Sequence, residues 1–208
     1  VAVAQGIVVG MGEGYEGREV VDAAGKVLIP GMIDGHIHIE STLMTPARFA
    51  EAVAIHGTSA VMADPHEIAN VMGIEGVKSM WRNAQDLPVD FFWGASSCVP
   101  ASGIETCRKP LGPSDLSTLL QDGICQHLGE MMNYPAVIGG DAEIWAKIAA
   151  AQGRPLTGHI PGVGGKDLCA YLLSGCNSDH ETVSYLEGLE KLRRGCWIMM
   201  RSGSAASD

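Results

Sequence analysis

Residues 30–38 read Pro-Gly-Met-Ile-Asp-Gly-His-Ile-His, a short β-prone run that begins after a proline and ends on two histidines. Because side chains alternate faces along a strand, His36 and His38 project from the same side of it. One metal ion could take both imidazoles, and a pair of hydrogen-bonded core histidines is the alternative. The run therefore predicts a strand with a candidate site at its C-terminal end.

Downstream of this run, short β-prone stretches alternate with longer stretches of helical periodicity. We predict seven strands, at residues 32–37, 58–63, 89–95, 125–129, 156–158, 176–178 and 197–200. Among the intervening helices, one is expected to start after Asp141 and to bury Ile144, Trp145 and Ile148. This alternation is typical of an α/β protein with a parallel sheet. Seven such strands favour an incomplete TIM-like (β/α)8 barrel over an open doubly wound sheet.

The composition limits the kinds of binding partner and the cellular compartment that we expect for this chain. The chain has 208 residues, 46% of them hydrophobic, and its 24 acidic and 14 basic residues give a net charge of −10. Such a charge repels nucleic-acid phosphates and anionic lipids, so we expect no nucleic-acid and no membrane partner. No apolar run approaches the roughly 20 residues of a membrane helix, and no signal peptide is visible at the start. The six cysteines are dispersed without a Cys-x-x-Cys pair, which suits a cytoplasmic protein.

Three more side chains that bind metals fall at predicted strand ends. Glu130 ends the fourth strand, His159 follows the fifth and His180 follows the sixth. Because barrel strands end at one mouth, we expect these residues to lie close to His36 and His38. Imidazole and carboxylate together suit zinc, iron or manganese more than magnesium or calcium. Two histidine pairs on either side of one carboxylate predict two metal ions bridged by Glu130, with an activated hydroxide between them.

Several short strings in the sequence resemble those of a known family. Residues 30–38 resemble the first-strand signature of the amidohydrolase superfamily. Four narrower strings resemble its bacterial adenine deaminase branch: Asp-Pro-His-Glu-Ile-Ala-Asn-Val at 64–71, Leu-Gly-Glu-Met-Met-Asn at 128–133, Gly-His-Ile-Pro-Gly at 158–162 and Ser-Asp-His-Glu at 178–181. The match runs from about Val20 to Ala206, which is nearly the whole chain.

The resemblance implies hydrolytic deamination of adenine to hypoxanthine and ammonia, with adenine as the small-molecule partner. It implies two divalent metal ions, manganese or iron with zinc as an alternative, held by His36, His38, Glu130, His159 and His180. Glu130 stands where many relatives have a carboxylated lysine that bridges the metals. The hydroxide would attack C6 of the purine, and an adjacent acid must protonate the departing amine.

Further candidates lie near the same mouth, each with a structural alternative. In the family interpretation, Asp64, His66 and Glu67 position substrate or relay protons, and the alternative is a cluster at a helix N-terminus. The candidates for substrate contact are Glu40, Asn133 and Arg201. Their respective alternatives are a helix cap, stabilisation of a local turn and a surface role.

The resemblance also predicts the domain organisation. Residues 7–9, 19–21 and 27–29 are predicted as short strands, and residues 1–29 resemble the end of the small β domain that precedes the family's barrel. Residues 30–208 are then the barrel, truncated before an eighth strand whose aspartate binds metal in family members. Asp208 cannot be assumed to be that aspartate. A barrel with two bare edges is expected to be poorly soluble or inactive alone, and a homo-oligomer is considered only for a full-length parent.

Two other functions stay open. One is another amidohydrolase that uses the same metal pair on a cyclic amide. The other is a non-catalytic, metal-binding remnant. Glu130 in place of a bridging lysine and the string at 64–71 favour the deaminase.

Overall fold

The computed structural model describes residues 1–203, and Asp208 therefore lies outside the described part. The chain separates into two compact units, Val1–Pro30 and a second that starts at Gly31. The assignment of residues 1–29 to the small β domain of a longer enzyme stays a prediction.

The first unit contains a hairpin. Strand β1 (Ala2–Ala4) pairs antiparallel with β2 (Ile7–Gly10). The strands predicted at 19–21 and 27–29 are wrong, because both segments are irregular. Their apolar side chains find little cover, with Val20 81% and Val27 84% exposed. β-Prone residues form a strand only where a neighbour completes their backbone hydrogen bonds, and in residues 1–30 neither segment has such a neighbour.

The second unit is built on parallel strands. Five form one sheet in chain order: β3 (Met32–Ile37), β4 (Thr58–Ala63), β5 (Asp90–Ala95), β6 (His127–Met131) and β7 (Leu156–Gly158). A separate parallel pair contains β8 (Ser178–Asp179) and β9 (Trp197–Ile198).

Parallel strands need crossover connections, and helices supply them. The helices are α1 (Pro46–Ala54), α2 (His66–Met72), α3 (Ile74–Asn83), α4 (Pro113–Gln121), α5 (Tyr134–Gly139), α6 (Ala142–Ala149), α7 (Gly165–Leu172) and α8 (Tyr185–Arg193). A short 3-10 helix, Ile39–Thr42, follows β3. Within residues 1–203, no helix combines the length and the apolar character needed to cross a bilayer.

The predicted fold class is confirmed. The five-stranded sheet curls into part of a barrel with helices between its strands, an incomplete TIM-like α/β architecture. Each predicted strand from residue 32 onward has a counterpart, although β8 shares only Ser178 with the predicted 176–178 and β9 ends two residues earlier than predicted. Strand β6 starts and ends two residues later than predicted. The reason lies in the turn after α4, where the Cys125 N–H donates to the Leu119 carbonyl at 3.0 Å and is not available to a strand. As a result, Glu130 lies inside β6.

Apolar side chains fill the space between the sheet and its helices. Buried members include Val61, Ala63, Trp93 and Leu128 from the strands and Leu116, Leu119, Leu168 and Tyr171 from the helices. On α6, Ile148 is buried and Ile144 half-buried, but the predicted burial of Trp145 is wrong, since this residue is 37% exposed. Its indole N–H donates to the Val137 carbonyl at 3.1 Å, so the ring lies along α5 at the surface.

The N-cap of α6 gives a test of the local structure. Asp141 Oδ1 accepts hydrogen bonds from the backbone N–H groups of Glu143 and Ile144, both at 3.0 Å. We expect Asp141→Ala to lower the free energy of unfolding by about 1 kcal/mol, measured by urea denaturation. Thr45→Ala is the matched control, because Thr45 stands at the N-cap of α1 without a side-chain capping bond. Equal losses in the two variants would contradict the capping role of Asp141.

Candidate metal centre

The five predicted metal ligands converge at the C-terminal edge of the curled sheet. His36 lies in β3 and Glu130 in β6, whereas His38, His159 and His180 directly follow β3, β7 and β8. All five line one cavity of about 790 Å³. This volume is typical of sites for small molecules.

Glu130 is the centre of the cluster, and its side chain is only 2% exposed. Its Oε1 lies 3.2 Å from His38 Nε2 and 3.8 Å from His36 Nε2. Its Oε2 lies 2.7 Å from His159 Nδ1 and 3.2 Å from His180 Nε2. Each carboxylate oxygen therefore faces a different pair of the four predicted histidine ligands, and Oε1 also lies 3.3 Å from Nδ1 of His66.

The first pair, His36 and His38, has its two Nε2 atoms 3.0 Å apart. Two nitrogens bound to one ion at about 2.0–2.1 Å would lie roughly 3 Å from each other, so this spacing fits a shared cation. His38 Nδ1 lies 2.8 Å from the backbone carbonyl oxygen of Asp64. When a neutral His38 donates from this nitrogen, its lone pair lies on Nε2, where it could bind a cation beside Glu130. Metal-binding histidines commonly donate their second N–H in this way, and the donor set therefore fits a metal.

The second pair packs against the first. The rings of His159 and His180 have centroids 5.2 Å apart, and His180 stacks on His36 with centroids 3.8 Å apart and an interplanar angle of 18°. The backbone N–H of His159 donates to the Tyr171 hydroxyl at 3.1 Å, and that hydroxyl donates to the Met131 carbonyl at 2.9 Å. Tyr171 thus holds the start of the His159 loop against the end of β6.

Burial and nearby charges decide the protonation of the cluster. Burial lowers the pKa of His36 to about 3, and His180 adds to this shift. Burial also opposes the charged form of His38, but the hydrogen bond to Glu130 contributes to a net rise of its pKa to about 9. For Glu130, burial favours the acid, yet hydrogen bonds from His159 and His180 hold its pKa far below the usual value. Glu130 is thus a carboxylate at neutral pH, the form that binds metals.

Asp64 lies beneath the cluster and is 1% exposed. Its Oδ1 accepts a hydrogen bond from Ser96 Oγ at 2.7 Å, and its Oδ2 accepts one from the Glu130 N–H at 2.9 Å. Ser97 Oγ donates to the Glu130 carbonyl at 2.7 Å. Together these bonds fix the backbone on both sides of the Glu130 side chain. No pattern in the sequence indicated the role of Ser96, because its partner lies 32 positions away.

His66 and Glu67 open α2 but face different surroundings. His66 lines the cavity, with Nδ1 3.3 Å from Glu130 Oε1 and 3.6 Å from Asp64 Oδ2. The Glu67 carboxylate accepts a hydrogen bond from Ser41 Oγ at 2.5 Å, and Glu67 is not part of the cavity wall. Its place in the first turn of α2 also suits an acidic side chain. The catalytic roles of Asp64, His66 and Glu67 stay predictions.

Of the three candidates for substrate contact, two lie outside the cavity wall and one lies in it. Glu40 Oε1 accepts a backbone hydrogen bond of 3.1 Å from the first turn of α2, and Asn133 Oδ1 accepts one of 3.2 Å from the first turn of α5. Neither residue is part of the cavity wall. Arg201 does line the cavity, where it pairs with Glu181. Capping is thus the observed contact of Glu40 and Asn133, and substrate contact stays a prediction for all three.

The absence of a side chain at Gly129 lets Asp64 reach its place. A Cβ at residue 129 would lie 2.5 Å from Asp64 Oδ2 and 2.7 Å from its Cγ. We expect Gly129→Ala to displace this carboxylate and to lower the free energy of unfolding by about 1–3 kcal/mol, measured by urea denaturation. Gly139→Ala is the matched control, because a Cβ there enters open space on α5. A Gly129→Ala protein that unfolds at the same urea concentration as the unmodified chain would contradict the close contact.

Comparison with known proteins shows relatives of this chain. It is similar to adenine deaminase from Archaeoglobus fulgidus, with 46% identity over 208 residues, and to adenine deaminase from Oleidesulfovibrio alaskensis, with 50% identity over 207 residues. These matches cover 100% and 99% of this chain but 37% and 36% of the relatives. The chain therefore spans little more than a third of the length of these curated relatives.

A solved structure shares the fold. A mandelate racemase/muconate lactonizing protein from Paracoccus denitrificans PD1222, complexed with magnesium, matches with a TM-score of 0.50 and 10% identity. The match covers 86% of this chain and 50% of that one, and at this identity it concerns the fold alone. The model of the amidohydrolase family matches residues 27–207, which confirms the family resemblance seen in the sequence. The chain belongs to the amidohydrolase family.

Proposed function

We propose that this protein hydrolyses adenine to hypoxanthine and ammonia. The observation that carries the proposal is the geometry of Glu130, whose two oxygens face separate pairs of histidines. Relatives with identities of 42% and 50% are named adenine deaminase 2 and adenine deaminase, which supports adenine as the substrate.

The proposed cofactor is a pair of divalent cations, manganese or iron, with zinc as the alternative. His36 and His38 would hold one cation together with Glu130 Oε1, and His159 and His180 would hold the other together with Oε2. In each set of three residues, the candidate ligand atoms lie within 4.8 Å of one another. When bound, such cations lower the pKa of water to about 7 and so supply a nucleophile at neutral pH.

The chain's own residues would handle the proton that the departing amine needs. Among the predicted catalytic residues, His66 is the best placed, since the residue lines the cavity while its buried Nδ1 lies near the carboxylates of Glu130 and Asp64. Burial opposes the charged form of His66, but the neighbouring carboxylates bring a net rise of its pKa, and the ring would pass a proton to the leaving amine from the side that lines the cavity. Asp64 would support that proton, and Glu67 would steady the start of α2 through Ser41.

The rest of the cavity wall supports a small, partly apolar substrate. Ile37, Met132 and Met199 contribute apolar surface, and Arg201 is our candidate for contact with a purine nitrogen. Glu40 and Asn133 would influence substrate through the helices that they cap. All six cysteines are free thiols, which supports a reducing cytoplasm as the location of the protein.

The direct test is an assay of the full-length natural protein, stripped of metal and reloaded with Mn(II). We expect ultraviolet absorbance to report conversion of adenine to hypoxanthine with release of one ammonia per turnover. The metal-free protein is the control and should be inactive. Hydrolysis of a hydantoin or a dihydropyrimidine without turnover of adenine would overturn the proposal in favour of another amidohydrolase.

Glu130→Gln tests the bridge. The amide keeps the shape of the side chain but loses the charge that holds two cations, so we expect kcat/KM for adenine to fall at least about 100-fold. The number of Mn(II) ions bound per chain, measured by elemental analysis after dialysis, should fall below two. Glu143→Gln is the control, because Glu143 is exposed on α6. A Glu130→Gln enzyme with two bound ions and full activity would exclude the bridging role.

A further inference from the structure

Lys191 on α8 is a charged side chain that is 0% exposed. Its ammonium lies 2.8 Å from Asp179 Oδ2 and 2.6 Å from Glu187 Oε1. It also donates to the Ile160 carbonyl at 2.7 Å and to Thr182 Oγ1 at 3.1 Å. Four oxygens thus surround three N–H donors, and the buried charge is fully paired.

Stability alone is a weak explanation for this cluster. Removing a lysine and an aspartate from water costs several kcal/mol per ion, and apolar residues of similar volume often serve equally well in such a place. The position of Lys191 is better explained by what the ammonium and its partners hold in place.

The cluster fixes the two residues next to the second pair of histidines. Ile160, which follows His159, is held through both of its backbone groups: its N–H donates to Asp179 Oδ1 at 2.8 Å, and its carbonyl accepts from Lys191. Asp179 directly precedes His180. One ion pair therefore ties together the two backbone segments that carry His159 and His180.

These segments have no regular sheet to set their spacing. In the described part of the chain, β7 and β8 belong to different sheets. Side-chain bonds connect them instead, from the Gly158 N–H to Ser178 Oγ at 3.0 Å and from Ile160 to Asp179. The first pair of histidines is different, because His36 lies in β3 and His38 directly follows it, and β3 pairs with β4 at Asp34 and again at Ile37.

We propose that Lys191 and Asp179 act as a positioning pair that sets the separation of His159 and His180, and thereby the affinity of that half of the site for its cation. Lys191 contacts neither substrate nor cation in this proposal. The inference rests on the proposed function, since it assumes a site for two cations.

Lys191→Met tests the inference, because methionine fills a similar volume without the charge. In a Mn(II) titration of the metal-free full-length protein, we expect two sites before the change and a weakening of one site by about 10- to 100-fold after it. To assign the weakened site, the change is repeated in a His36→Ala and in a His159→Ala background. Lys191→Met should weaken the remaining site in the first background and leave it unchanged in the second. Raising Mn(II) should restore kcat toward that of the unmodified enzyme.

Arg194→Met is the matched control, because Arg194 is the residue at the C-cap of α8 and forms a partly exposed pair with Glu190. This change should leave both affinities unchanged. Should Lys191→Met fail to fold, Thr182→Val removes one hydroxyl shared by Lys191 and Asp179 and should weaken the same site several-fold. Equal weakening of both sites, or of neither, would overturn the positioning role. Fewer than two sites in the unmodified protein would instead overturn the proposed function, and the two failures are thereby distinguished.

Discussion

The site depends on the burial of one ionised carboxylate. Glu130 is almost completely removed from water, where an unpaired negative charge would be very unfavourable. The protein meets this constraint from several directions: imidazoles approach both oxygens, and Asp64 and Ser97 hold the backbone amide and carbonyl of the same residue. The geometry of the histidines and the ionisation of Glu130 are therefore two aspects of the same arrangement.

The two halves of the cluster are built by different means. His36 and His38 gain their spacing from one strand, whose pairing with β4 holds it on both sides of an irregularity between Asp34 and Ile37. His159 and His180 stand on separate segments whose relative position depends on buried polar side chains. A parallel sheet supplies a common edge for metal ligands, but the exact position of each ligand side chain is set by the contacts around it.

Much of this could be predicted from the sequence, because it rests on short-range rules. The alternation of side chains along a strand and the shared C-terminal end of barrel strands were enough to predict that His36, Glu130 and the other histidines lie close together. The register of β6 could not be predicted, since a turn contact from Cys125 delays its start. Polar residues beyond a strand end, such as Glu40, suit a helix cap or a substrate contact equally well. Lys191 gave no local signal either, because a lysine on an amphipathic helix normally faces solvent and one of its partners lies 31 positions away.

The place of Asp64 has a consequence for how such a site can change over generations. Its backbone carbonyl accepts from the His38 ring while its carboxylate accepts from the Glu130 amide, and Gly129 has to remain without a side chain beside it. A substitution at position 64 would disturb the end of β3 and the middle of β6 at once. A substitution there would be retained only together with further substitutions on β3 and β6 that restore the lost contacts. We therefore expect this position to diverge slowly while the surrounding surface varies.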